Sequence, residues 1–469
     1  MERRKFFRNA GLLGLGSVLF SPLEAFSQEN SKQKNNHKKP KNIIFMVSDG
    51  MSIGTLNMTD LYLQRTTGTG TKWINLYRDN KVSRGMMDMA SASSLVTDSA
   101  AASSSWGGGN RVANGTLNVG ENGELYKTIW KKFKEVGKKA GCVTTVPITH
   151  ATPAGFLVQS KSRYDQEGIA EKYLVEKYDV LMGGGKEYFE ASSREDAKDL
   201  FTSFEKAGFE VVKTRKELLS SHSKKPFLGV FHAGGLPYTL DRNNDEKIAE
   251  QIPTLAEMTT IAIEKMKTNK EGFVLQIEGG KVDWAAHSNC VGGLINEQIA
   301  FDQALKVAID FAAKDGETLV VITTDHGNSN PGLLYGKEAD KQFDTIQKFT
   351  HTNEWILNEI NSDFNISQVI DKIKEANGFE ISKEDAYHIL GYYNGLEKSD
   401  TGLYNYKKLP FKLLSEIQKK HTNVGWIGDN HSADFVELAM FGPGNEKQPP
   451  FIKNTDLHKL LLEVCEMPL

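Results

Sequence analysis

Cysteine is scarce: Cys142, Cys290 and Cys465 are the only three in 469 residues. That excludes a disulfide framework, since at most one bridge could close. Their spacing fits no zinc motif either, and they read as buried thiols. Long apolar runs are also missing. The best of them, residues 10–20, is shorter than the about 20 residues a bilayer span requires. There is no excess of positive charge, because 57 Lys and Arg stand against 60 Asp and Glu. A net charge of -3 gives no support to nucleic-acid binding. No internal repeat is visible, and no G-x-S-x-G elbow marks an ordinary serine hydrolase.

What is present begins with a leader. Residues 1–27 join a basic start to the apolar stretch and end on small residues, Ala25 and Ser27, as an export signal does. Arg3-Arg4, followed by Lys5, Phe6, Phe7 and Arg8, resembles a twin-arginine signal, with ordinary Sec export as the alternative. No cysteine stands near the cleavage region to take a lipid anchor. Residues 28–41 are polar and basic and read as a flexible leader, which leaves 42–469 as the folded domain. The expected location is periplasmic or secreted.

Short apolar runs recur along that domain at 43–47, 142–146, 273–277, 319–323 and 435–441. Runs of this length, rich in β-branched residues, suit strands buried on both faces. Helical patterns lie between them at 127–139, 255–266 and 295–313. The alternation predicts an α/β fold, a central mostly parallel sheet with helices on both faces. Residues 328–430 differ in texture, being rich in Gly, Asn, Lys and Tyr, with helical stretches at 355–361 and 367–376. They read as an inserted accessory region.

Each of three strands ends in metal-binding chemistry. Ser48-Asp49-Gly50 follows 43–47; Glu278-Gly279-Gly280, then Asp283 and His287, follow 273–277; Asp325-His326-Gly327 follows 319–323. Ligands of parallel sheets bind beyond the carboxyl ends of the strands. Any one of these pieces is an ordinary turn or a solvated pair. Repeated at three strand ends, carboxylates with imidazoles suit zinc beside a harder cation. Without metal, such crowding would raise the carboxylate pKa values.

A further stretch, "VTDSAAASSSWGGG" at 96–109, puts Ser99 directly behind Asp98. Asp and Ser are good helix N-caps. A seryl oxygen needs a base or a metal before it is a useful nucleophile. A helix N-terminus offers an anion about 0.3–1 kcal/mol, and a divalent cation several. The small residues around Ser99 would let a phosphate come close.

Taken together in chain order, "VSDGM" (47–51), "TDSAAAS" (97–103), "THATPAG" (149–155) with "SR" (162–163), "IEGGKVDWAAH" (277–287), "TTDHG" (323–327) and "GDNHS" (428–432) with "FGPG" resemble the alkaline phosphatase family. The resemblance implies a phosphomonoesterase working through a phosphoserine on Ser99. It implies Asp283, His287 and His431 as ligands of one zinc, and Asp49, Asp325 and His326 as ligands of a second, which activates Ser99. Asp49, Thr152 and Glu278 would hold magnesium, and Arg163 would grip two phosphate oxygens. The insertion would be a crown-like accessory region, and the molecule a homodimer. His150 and Trp284 fall at positions where the family varies, so His150 is a third-site ligand or a neighbour of one. Ser432-Ala433 replaces the Thr-Gly that often follows the family histidine. A phosphodiesterase of the same superfamily, or a noncatalytic phosphate- or metal-binding protein, are the other readings. Small phosphate monoesters are the expected partners.

Overall fold

A computed structural model describes residues 39–399 and 401–468. The expected export signal and most of the leader lie outside the described residues. The leader's last residues do not: Pro40 is buried, and the Lys41 N–H donates to the carbonyl of Glu317.

Eight strands come first in the chain: β1 (Asn42–Val47), β2 (Ser83–Asp88), β3 (Lys139–Pro147), β4 (Val180–Gly184), β5 (Glu210–Val212), β6 (Phe227–Val230), β7 (Phe273–Glu278) and β8 (Thr318–Thr323). Four two-residue strands follow: β9 (Gly327–Asn328), β10 (Gly332–Leu333), β11 (Val424–Gly425) and β12 (His431–Ser432). They form two small ribbons, β10 with β11 and β9 with β12. The last two strands, β13 (Val436–Phe441) and β14 (Phe451–Lys453), rejoin the main sheet. Its order is β14-β2-β13-β8-β1-β7-β3-β4-β6-β5. Strands β8 through β5 in that order are parallel, and β13 pairs antiparallel with both its neighbours.

Every residue of β1, β7 and β8 is buried, which is why these segments read as continuous apolar runs rather than alternating ones. Successive side chains of β1 still go to opposite layers. Ile43, Phe45 and Val47 join the core that holds Trp106 and Phe156. Ile44 and Met46 join the one beneath the long helix Val291–Asp315. That helix starts earlier than the apolar pattern suggested. Cys290 caps it, its Sγ accepting the Gly293 N–H, and Gly292-Gly293, which look like a break, pack against Phe349 and Cys290. All three cysteines are free and buried. Conversely, the helix expected over 127–139 is only Ile129–Glu135, because Gly137 turns the chain with φ 85° before β3 begins at Lys139.

Between β10 and β11, helices Asn353–Glu359, Ile366–Asn377, Lys383–Gly391 and Phe411–Thr422 pack around a core of their own that includes Ile356, Val369, Ile389 and Leu414. No helix of the described residues is long and apolar enough to cross a membrane.

Candidate active site

Strand β1 lies between β7 and β8, so the residues that follow these three strands meet at one edge of the sheet. Asp49 is two residues past β1, Glu278 ends β7, and Asp325-His326 stand just past β8. Gly50 turns the chain immediately after Asp49 with φ 66°, and a Cβ there would lie 2.5 Å from Asp283 Oδ1. Only glycine allows that approach.

Asp283 and His287 share the short helix Lys281–His287, where the four-residue spacing puts both on one face, with His287 Nε2 3.5 Å from Asp283 Oδ2. His431 arrives from far along the chain on β12, which pairs with β9 so that His431 faces Asn328 across the ribbon. Its Nε2 lies 3.6 Å from Asp283 Oδ1. The sequence-expected ligands thus assemble into three groups, each with its donor atoms within 4.8 Å of one another: Asp283, His287 and His431; Asp49, Asp325 and His326; and Asp49, His150 and Glu278. Thr152 stands beside the third group, its hydroxyl donating to Asp49 Oδ2 at 3.2 Å.

The donor atoms fit cations. Asp49 Oδ1, Asp325 Oδ2 and both Glu278 carboxylate oxygens are buried with no hydrogen-bond partner. Orphaned buried oxygens are costly unless a positive charge faces them. Each of three imidazoles donates Nδ1–H to a main-chain carbonyl: His287 to Asp429 at 2.8 Å, His431 to Thr97 at 3.0 Å and His326 to Gly327 at 3.3 Å. With Nδ1 so engaged, each ring points Nε2 inward, as metal-ligating histidines do. His287 Nε2 and His431 Nε2 face each other at 3.2 Å, an approach that a cation between them would suit.

The electrostatics agree. Burial, and then the neighbouring Asp325, Asp283 and Glu278, push Asp49 well above the usual carboxylate range. Burial pushes Glu278 up to about 7. Burial, and then His326, hold His431 down to about 4, so it stays neutral and able to ligate.

Ser99 is the first residue of the helix Ser99–Gly107, and Asp98 is its N-cap. Asp98 Oδ1 accepts the Ala101 N–H, while Oδ2 accepts the Gly115 N–H at 2.9 Å and Arg163 Nη1 at 3.0 Å. One carboxylate therefore both caps the helix and braces the arginine. The buried Ser99 Oγ lies 3.3 Å from His326 Nε2. The small residues behind Ser99 have a different purpose from the one the sequence suggested. Ala100 to Gly107 are buried, and Gly107 meets Gly155 so closely that a Cβ would stand 1.9 Å from the Gly155 carbonyl. They let this helix press against Ala151–Leu157; they do not line the cavity.

His150 Nε2 accepts from Arg163 Nη2 at 3.1 Å. Its pKa falls to about 3, through burial and then the guanidinium, so it is neutral with the proton on Nδ1. In this arrangement His150 is a second brace for Arg163.

Ser99, Arg163, His150, Asp283, His287 and His431 all border one cavity of about 450 Å³. A family model described as alkaline phosphatase matches residues 40–467. The chain belongs to the alkaline phosphatase family. Alkaline phosphatase 3 of Bacillus subtilis (strain 168) is 32% identical over 468 residues, covering 96% of each chain. Alkaline phosphatase 4 of the same organism is 30% identical and covers 99% of each. The crystal structure of the Thermus thermophilus alkaline phosphatase superposes with a TM-score of 0.85 at 28% identity, over 92% of each chain. As a member of the family the chain is a phosphomonoesterase, a hydrolase with metal-binding residue groups in place.

One supporting residue was not visible in the sequence. Asn328 Nδ2 donates to Asp283 Oδ1 at 2.7 Å from the strand paired with His431, tying three ligand-bearing segments together. Its position two residues after His326 was the only available hint, and it depends on a ribbon of two residues a side.

Proposed function

We propose that the chain hydrolyses small phosphate monoesters through a phosphoserine on Ser99, at a site taking two zinc ions and one magnesium. The single observation that carries this reading is that Ser99, Arg163 and the group Asp283, His287 and His431 border one cavity, while Ser99 Oγ also lies 3.3 Å from His326 of the buried Asp49 group. Asp283, His287 and His431 would hold one zinc, Asp49, Asp325 and His326 the other, and Asp49, Glu278 and Thr152 the magnesium, with His150 bracing Arg163 beside it. Bound cations would supply Lewis-acid stabilisation of the serine and leaving-group oxygens.

The protein's own part is positioning. Arg163, held by Asp98 and His150, presents its remaining N–H groups to two nonbridging phosphate oxygens. Ser99 Oγ gives up its proton to solvent and forms a bond to phosphorus as the bond to the ester oxygen breaks in line, and that oxygen takes up a proton from solvent and leaves as the alcohol. Water then attacks the phosphoserine, returning the Ser99 oxygen and releasing inorganic phosphate.

Arg163 separates this reading from a diesterase. A monoester offers three nonbridging oxygens and two charges, whereas a diester offers two oxygens, one charge and an extra substituent. Arg163→Ser is expected to raise KM and lower kcat/KM for monoesters by roughly ten- to a hundredfold, from the roughly 1.5–3 kcal/mol of a charged hydrogen bond. Diester turnover should fall less, and inorganic phosphate should inhibit more weakly. Equal losses for both ester classes in steady-state assays would favour the diesterase.

Two further readings belong to the same proposal. Exposed Ile53, Ile427 and Phe435 border an apolar groove of about 480 Å³, which supports a homodimer; light scattering at the monomer mass would refute it. The first 27 residues support export by the twin-arginine route, which requires that Arg3-Arg4→Lys-Lys abolish appearance of the mature chain outside the cytoplasm.

A further inference from the structure

Beside the phosphate clamp stands an aromatic side chain with no work in the chemistry. Tyr164 directly follows Arg163, borders the same cavity and is 82% exposed. Its backbone is nevertheless well fixed. The Arg163 N–H donates to the Gly115 carbonyl at 2.8 Å, and the Tyr164 N–H to Ser162 Oγ at 3.2 Å. Asp165 then caps the helix Gln166–Glu176, accepting the Gly168 N–H at 3.1 Å. The ring has no aromatic partner and the hydroxyl no hydrogen bond among the described residues. A large, mostly exposed ring held at a cavity by a pinned backbone keeps most of its surface free at little cost in chain entropy.

The same cavity has a second aromatic wall in Trp284. That ring is fixed: it stands edge-on to His150, with centroids 6.3 Å apart and planes at 76°, and the Lys281 ammonium lies 4.6 Å from it. Gly235 packs so close that a Cβ there would come within 2.9 Å of the indole. The cavity therefore offers a charged clamp for phosphate and, next to it, one exposed and one packed aromatic side chain.

We propose that Tyr164 is a specificity-determining residue, and that with Trp284 it favours phosphate monoesters whose alcohol half carries a planar ring, nucleoside 5′-monophosphates foremost. This inference rests on the phosphomonoesterase reading and adds the substrate class. Stacking of a base on an aromatic ring needs no hydrogen-bond readout, so the preference extends across bases. A cavity of about 450 Å³ is large enough for a ligand of that size.

AMP and ribose 5-phosphate test it, because they share the 5′ leaving oxygen and differ in the base. In the zinc- and magnesium-loaded enzyme, kcat/KM for AMP is expected to exceed that for ribose 5-phosphate by about tenfold, mostly through KM. Tyr164→Ala should bring the ratio to within about twofold of unity, and Tyr164→Phe should keep it. A ratio near unity in the parent enzyme, or the parent's full ratio in Tyr164→Ala, would overturn the inference while leaving the phosphomonoesterase reading in place. A parent enzyme that releases phosphate from neither ester would overturn both.

Discussion

Ser99→Ala is expected to lower kcat/KM for an aryl phosphate by about three orders of magnitude or more, as removal of a nucleophile does. The change is small in every other respect. The Ser99 side chain makes one hydrogen bond, to His326, and Asp98, not Ser99, caps the helix. Stability should therefore move by less than about 1 kcal/mol, and the variant should bind zinc like the parent. The comparison that matters is between activity and metal content in one preparation. Loss of both would make Ser99 a structural residue. Loss of activity with metal retained places the missing function on the seryl oxygen.

Removing the cations should have an effect of the same order. Chelation is expected to abolish turnover, and zinc with magnesium to restore it. His287→Ala should lose the cation of the Asp283 group, and Asp325→Ala that of the Asp49 group, each leaving about one zinc per chain by elemental analysis. Stripped protein should also melt lower. A cation at a thousand times its Kd contributes about 4 kcal/mol per site, and buried oxygens of Asp49, Glu278 and Asp325 lack a hydrogen-bond partner without it.

The pH dependence of that loss has a definite sign. In the stripped protein Glu278 titrates near 7, above its ordinary 4.5, so its native form holds a proton that the unfolded form has released. That contribution to stability is present below pH 4.5 and disappears as pH rises through 7. A cation must displace the same proton, so its affinity rises over the same window. Calorimetry should show the gap in Tm between loaded and stripped protein widening from about pH 5 to about pH 8. A gap that is constant or narrows would show that Glu278 does not ligate.

How much of this was legible without coordinates depended on local signal. β1, β7 and β8 could be read because central strands covered on both sides are continuous apolar runs. Asp49, Glu278, Asp325 and His326 follow them directly, and Asp283 with His287 obey the spacing of a helix. β4 and β6 were missed although buried, their short runs carrying glycines; so were β5 and β14, having three residues each, and β2, whose "SRGMMD" is only partly buried near the sheet edge. His431 has no local signal. It reaches the site through a two-residue ribbon whose partner lies about a hundred residues earlier, and only the family resemblance pointed to it. The run of small residues after Ser99 was misread because close helix packing and close ligand approach ask for the same side chains. The brace from His150 to Arg163 could not be read at all, because it depends on which ring nitrogen faces the guanidinium.

The central claim is that a covalent phosphoenzyme forms on one named oxygen. Metal-loaded enzyme mixed with excess phosphate ester, quenched in acid within a turnover and digested, should carry one added phosphate on the peptide containing residues 96–109. Fragmentation by mass spectrometry should place it on Ser99, and no labelled peptide should appear from Ser99→Ala. Phosphate found on any other residue, or a parent enzyme that turns over without ever being labelled under these conditions, would contradict the account.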